Sequence, residues 1–182
     1  GNILDFEAHM DARHQYDTAS AYAWDAANQE MLEIEGADAG ATAPGNVTES
    51  DLAAVIGLDG RTLKHGGQLS DAELQAWADG QRLKSGFAKV RGRVRIQGFG
   101  QIKPGDMIEL NGLGDRFNGK ALVSGVHHEI NSRNWESDIS FGLDPEWFGS
   151  TQRDLVEAPA NGLLPGITGL HIGLVTALAP VL

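Results

Sequence analysis

The sequence contains no cysteine, which excludes disulfides, thiolate metal sites and cysteine nucleophiles while leaving the compartment open. No apolar run reaches the about 18 residues that a membrane-spanning helix needs, and no signal peptide opens the chain. Positive charge is scarce: 14 Lys and Arg stand against 25 Asp and Glu, a formal net charge of −11. Such a balance favours solubility and argues against a phosphate backbone as the main partner.

What is present is ordinary for a globular protein, at 41% hydrophobic and 21% charged residues, and too apolar for a disordered chain. A chain of this length forms one or two domains and can bury roughly 70% of its unfolded surface. It begins Gly1-Asn2 and enters strand-like sequence at once, so it is expected to be a piece of a longer polypeptide. The one basic cluster, Lys84, Lys89, Arg91, Arg93 and Arg95, is expected to form a solvated strand face.

Ile3 to Met10 alternates, with Leu4, Phe6, Ala8 and Met10 on one side, and predicts a half-buried strand. Ala19 to Asp25 is ambiguous. Its alanines favour helix, but Tyr22 and Trp24 share a strand face, and strand is preferred. Gly36 to Asn46 is glycine-rich and predicts an exposed, mobile loop. Thr48 to Asp51 predicts a capped helix ending at Gly57. Ser70 and Glu73 have the spacing of a capping box opening the main helix, which runs to about Lys89. On it Leu74, Trp77 and Ala78 share a face that Leu83 and Phe87 continue, while Gly80 and Gly86 predict close packing against another backbone.

From Val90 the period becomes two, with Val90, Gly92, Val94 and Ile96 on one side and the arginines on the other. Lys103 to Asp106 predicts a turn, followed by a short strand at Met107 to Leu110. Asn111-Gly112 and Asn118-Gly119 are turn dipeptides. Lys120 to Ile130 and Trp135 to Leu143 are strands joined by residues 131–134, giving a hairpin from about Phe117 to Phe148. Residues 149–168 read as a linker with Pro159 and Pro165, and Leu170 to Leu178 as one more strand.

Candidate chemistry is thin. His65-Gly66-Gly67 resembles an oxyanion-hole stretch, but no G-x-S-x-G elbow accompanies it, so a turn before the Ser70 cap is expected. In His127-His128-Glu129 only His127 and Glu129 share a strand face. With no third ligand at a recognisable spacing, one histidine is expected inside and one outside. Glu136, Asp138, Asp144 and Glu146 have neither EF-hand spacing nor an evident cleft. The Gly98 to Gly105 segment lacks phosphate-loop spacing. No catalytic, cofactor-binding or metal-binding residue is assigned, and the chain is expected not to be an enzyme. The more specific residues are aromatic. Trp135, Phe141, Trp147 and Phe148 crowd the end of the hairpin and, with Trp77, are the structural or interface candidates. A core corner and an intersubunit seam both fit them.

Several segments resemble the Vgr spike family of type VI secretion and of phage-tail-like contractile particles. They are Arg116 to Lys120, Val123 to His128, Asn134-Trp135 and Phe141 to Phe148. Upstream, Phe6 to Ala8, Met10 to Arg13, Trp24-Asp25, Asn28-Gln29, His65 to Gly67, Trp77-Ala78 and Lys103 to Asp106 follow in the same order. The resemblance implies an α+β fold, predominantly antiparallel β: a phage tail hub-like, tube-type β-barrel domain with one main helix over residues 1–148. A linker at 149–168 and the first strand of a truncated OB-like barrel at 169–182 would follow. Ala179 to Leu182 departs from the family's continuation.

The resemblance further implies a homotrimeric hub that caps a hexameric inner tube and joins it to a piercing needle, contacting baseplate proteins and an effector cargo but no nucleic acid. The target membrane would be met only by the missing needle. Such a hub is assembled in the bacterial cytoplasm, then secreted or delivered as part of a contractile particle or a virion tail. The alternatives are a small-molecule or carbohydrate-binding β-module using Trp135, Trp147 and Phe148, or the non-catalytic part of an effector-bearing hydrolase.

Overall fold

A computed structural model describes residues 2–151, apart from 26, 38, 39, 41 and 59. The expected linker beyond residue 151 and the expected strand at 170–178 lie outside the described residues. The chain divides into two compact units, Gly1–Glu146 and Trp147–Leu182. In the second, the described residues form a single helical turn at Phe148–Thr151.

The first unit is predominantly antiparallel β, built on two sheets and one long helix. Strands β1 (Ile3–Met10), β5 (Val90–Gln97), β8 (Trp135–Phe141), β7 (Gly119–Ile130) and β6 (Met107–Leu110) form a five-stranded sheet in that order, curled into a half-barrel. Strands β3 (Glu30–Glu35), β2 (Thr18–Asp25) and β4 (Gly60–Lys64) form a second sheet in which β4 runs parallel to β2. The helices are α1 (Glu49–Ile56) and α2 (Asp71–Ala88).

The larger sheet is organised around one close approach. Gly92 lies in register with Ala8 on β1 and Phe141 on β8. A methyl on Gly92 would fall 2.1 Å from the Glu7 carbonyl oxygen and 2.8 Å from both Ala8 Cα and the tip of the Phe141 ring. Only glycine lets Phe141 lie flat over β5 here. Phe6 stacks on Phe141 with ring centroids 6.1 Å apart, and Phe117 meets Phe6 edge-on at 5.9 Å. Val90, Val94, Ile96, Val123 and Ile139 complete the buried cluster. β7 accommodates the curl with a register shift between Val123 and Gly125, where one extra residue bends the strand.

The smaller sheet uses the opposite strategy. Ala19, Ala21 and Ala23 form the inner face of β2 and are fully buried. Small side chains let α2 lie close to the sheet, and a methyl on Gly36 would come within 2.8 Å of the Ala78 carbonyl. The close contact expected at Gly80 and Gly86 is made opposite Ala78 from the strand side by Gly36, while Gly86 is buried. Space beside Gly80 is open.

The buried stripe of α2 also differs from expectation. After Leu74 and Ala78 it continues through Gln81, Ser85 and Ala88 rather than through Leu83 and Phe87. Polar residues can occupy this face because segment 14–16 satisfies them. Gln15 Nε2 donates to the Ser85 carbonyl at 2.9 Å, Ser85 Oγ to the His14 carbonyl at 2.6 Å, and Gln81 Nε2 to Tyr16 Oη at 2.8 Å.

Both capping boxes form, at Thr48–Asp51 and Ser70–Glu73, and α1 ends on left-handed Gly57. The loop at 36–46, expected to be exposed, has docked ends: Gly36 N donates to Ala19 O, and Gly45 N to Asn118 O at 2.9 Å. Pro44 is buried.

Phe141→Ala should lower unfolding free energy by about 3–5 kcal/mol, as expected for a truncated buried ring, read from urea denaturation. Gly80→Ala should raise it by about 0.5–1 kcal/mol in the same experiment, because the site has room and alanine restricts the unfolded chain.

Candidate assembly surface

The outer face of the half-barrel is a charge ladder. Arg91, Arg93 and Arg95 alternate with the buried residues of β5 and project opposite the core. Each lies within 4.0 Å of at least two carboxylates. Arg95 clasps Asp138 through two hydrogen bonds of 3.0 Å and reaches Glu136 at 3.6 Å. Arg93 approaches Asp5 at 3.3 Å and Asp138 at 3.7 Å. Arg91 lies 3.4 Å from both Asp11 and Asp144. In register across four strands runs Asp5, Arg95, Asp138, His127, with charge signs that alternate when the imidazole is protonated. The arginines expected as a solvated strand face are thus compensated. Lys89, from the same cluster, is buried, donates to the Val47 carbonyl at 2.9 Å, and has its pKa lowered by that burial.

The Arg95 hydrogen bonds hold the Asp138 carboxyl below its ordinary 3.8, against the opposing pull of burial, with the charges of Arg95, Arg93 and His127 adding to the effect. Asp11 is held well below the carboxylate range, chiefly by hydrogen bonding to Arg13.

The histidines depart from expectation. Both His127 and His128 occupy exposed positions, because β7 runs past the end of the core after Val126. His128 Nδ1 sits 2.8 Å from Ser137 Oγ, and its ring meets Trp135 edge-on at 6.0 Å. Among the described residues, no group of three or more His, Asp or Glu could hold a metal ion. His65 closes its own turn, accepting from Gly67 N at 3.1 Å when Nδ1 is unprotonated.

The aromatic candidates do not form one crowd. Phe141 is a core residue. Trp135 stands at the other end of β8, about 20 Å away at strand rise, and is 41% exposed. Its ring covers Gly98, where a methyl would fall 2.1 Å from it. Exposed Ile130, its register partner, and exposed Phe99 share that end of the hairpin. Trp77 is partly buried at the rim of the smaller core, edge-on to His65 at 6.2 Å. Trp147 and Phe148 are exposed.

A second exposed surface, unnoticed in the sequence, is the outer face of the three-stranded sheet. In register it presents Glu33, Tyr22 and Lys64 in one row, and Met31 beside Trp24 in the next. Tyr22 Oη donates to Glu33. The alternation of Glu33 and Glu35 with Leu32 and Ile34 was the available signal.

Residues 1–132 match the family described as the Alg8 N-terminal domain. No curated protein matches the chain. Among solved structures, the crystal structure of the prophage MuSo2 43 kDa tail protein from Shewanella oneidensis is similar over 79% of this chain and 42% of that one, at 10% identity and a TM-score of 0.51. A tail protein from Neisseria meningitidis MC58 is similar over 80% of this chain and 41% of its own, at 11% identity and a TM-score of 0.46. The virion of a native gene transfer agent particle is similar over 77% of this chain and 28% of that one, at 16% identity and a TM-score of 0.40. The first likeness shows a prophage tail-protein fold, and this chain spans less than half the length of that tail protein.

The ladder has a pH signature. Because the folded-state pKa of Asp138 is depressed, its stabilisation is fully present above 3.8 and is lost as pH falls through the lower folded value. Asp138→Asn should be less stable than wild type near neutrality and lose less stability on acidification, measured by urea denaturation at about pH 7 and about pH 3.

Proposed function

The chain belongs to the Alg8 N-terminal domain family, and from that premise we propose that it is a structural component of a Vgr-type hub, without catalytic activity. In this reading three copies assemble, cap a hexameric inner tube and connect it to a needle. Baseplate proteins and an effector cargo are further partners. Assembly takes place in the bacterial cytoplasm, before delivery as part of a contractile particle.

The observation that supports the reading best is the tail-protein fold itself, in which a glycine-tight half-barrel is packed without room for sliding. A part that transmits a mechanical stroke needs stiffness and fit. The Gly92 contact and the arginine ladder provide both, since interdigitated cores have low compressibility and bidentate arginine–carboxylate pairs fix strand register. The run from Arg116 to Phe148, which resembles the Vgr family, includes β7 and β8, the two strands that lie between β5 and β6 in this sheet.

Light scattering of the full-length parent polypeptide should give three copies per particle. A stable monomer at micromolar concentration would overturn the hub reading. If that monomer also bound oligosaccharide through Trp135, the carbohydrate-module alternative would take its place.

A further inference from the structure

The two edges of the three-stranded sheet carry opposite charge. Strand β3, at one edge, exposes Glu30, Glu33 and Glu35 and has no basic residue. Strand β4, at the other, exposes Arg61 and Lys64 and has no acidic residue. Neither Arg61 nor Lys64 has an ion-pair partner among the described residues.

We infer that these edges pair head to tail between copies of this chain, β4 of one copy against β3 of the next. The inference rests on the homotrimeric reading above and names the strands through which copies meet.

Three features select this occupant. Like charges opposite one another destabilise paired strands, so the acidic β3 edge opposes pairing with a second β3, and the basic β4 edge opposes pairing with a second β4. The complementary edge lies on the same molecule. Direction also agrees. β3 is antiparallel to β2 and β4 is parallel to it, so β3 and β4 run in opposite senses. Copies related by rotation about an axis along the strands would therefore join β4 to β3 as an antiparallel pair. That contact is heterologous, and it closes into a ring when the rotation does.

The side chains complete the match. Glu33, Tyr22 and Lys64 occupy one cross-strand row on the outer face. Joining copies at that level sets Lys64 beside the next Glu33 and repeats the row around the ring. Tyr22 already donates to Glu33 and orients the carboxylate on that face.

These 182 residues contain no cysteine, so a pair introduced among them is the only one there. Within one chain Glu33 and Lys64 flank Tyr22, about 10 Å apart across two strand spacings, beyond the roughly 7 Å Cα limit for a disulfide. In the full-length polypeptide, Glu33→Cys combined with Lys64→Cys should form disulfides between copies under mild oxidation, giving a covalent series up to the ring. Each single cysteine variant should give none.

Reversing one edge, by Arg61→Glu with Lys64→Glu or by Glu33→Lys with Glu35→Lys, should lower the assembled fraction at least about tenfold. Reversing both edges in one chain should restore it. Circular dichroism checks that these exposed substitutions leave the fold intact. Cross-linking of Glu33→Cys alone, or unchanged assembly after reversal of one edge, overturns the edge pairing and leaves the trimeric reading standing. A monomeric wild type overturns both.

Discussion

At Gly92 three strands meet with no space for a methyl group, and much of the larger sheet follows from that contact. β1 can approach β5 there because no side chain intervenes. Phe141 can lie across the gap because its ring tip replaces the missing Cβ. Phe6 then stacks on Phe141, and Phe117 closes on Phe6, so the first strand, the central strand and the 111–118 segment share one aromatic cluster. On the opposite face the same strand carries the arginines that bridge to β1 and β8. One residue thus sets the spacing on which both the apolar inside and the ionic outside depend.

The two sheets solve the problem of burial differently. The half-barrel fills its interior with large rings and branched aliphatics. The three-stranded sheet keeps its inner face nearly bare with Ala19, Ala21 and Ala23 and lets a helix supply the bulk. The second arrangement places backbones close together and leaves few large side chains to bury. That explains why polar Gln81 and Ser85 extend the helix stripe and why segment 14–16 supplies their partners. A propensity scale cannot see such a contact. Three alternate alanines are helix formers alone and a strand only beneath a helix.

Most of the half-barrel was legible because its signals are local. The turn dipeptides, the capping boxes and the alternation after Val90 each declare themselves within a few residues. Strands β3 and β4 were missed for a shared reason. Edge strands are short and charged, and they lack the apolar run that marks a central strand. The helix contact was expected at Gly80 and Gly86 because a glycine within a helix draws notice, yet the tight spot opposite Ala78 is Gly36, in the segment that follows β3. For the exposed surface, the sequence offered aromatic residues near one another along the chain. Phe141 and Trp135 prove to be separated by the length of β8, since a strand converts nearness in sequence into distance more efficiently than a helix does. The arginine ladder was half visible: the spacing of the arginines along β5 could be read, but their carboxylate partners lie on other strands, up to 88 residues away in sequence.

Helix α2 ends at Ala88 and β5 begins at Val90, so only Lys89 separates the longest helix from the strand that lies between β1 and β8. Its side chain is buried and tied to Val47, while its carbonyl accepts from Asp11 N. There is no slack at this junction. A pull on the helix would reach β5 directly, and β5 is hydrogen-bonded to β1 on one side and β8 on the other. The two-layered body therefore acts at this point as a single tie-rod, with its anchorage inside the protein.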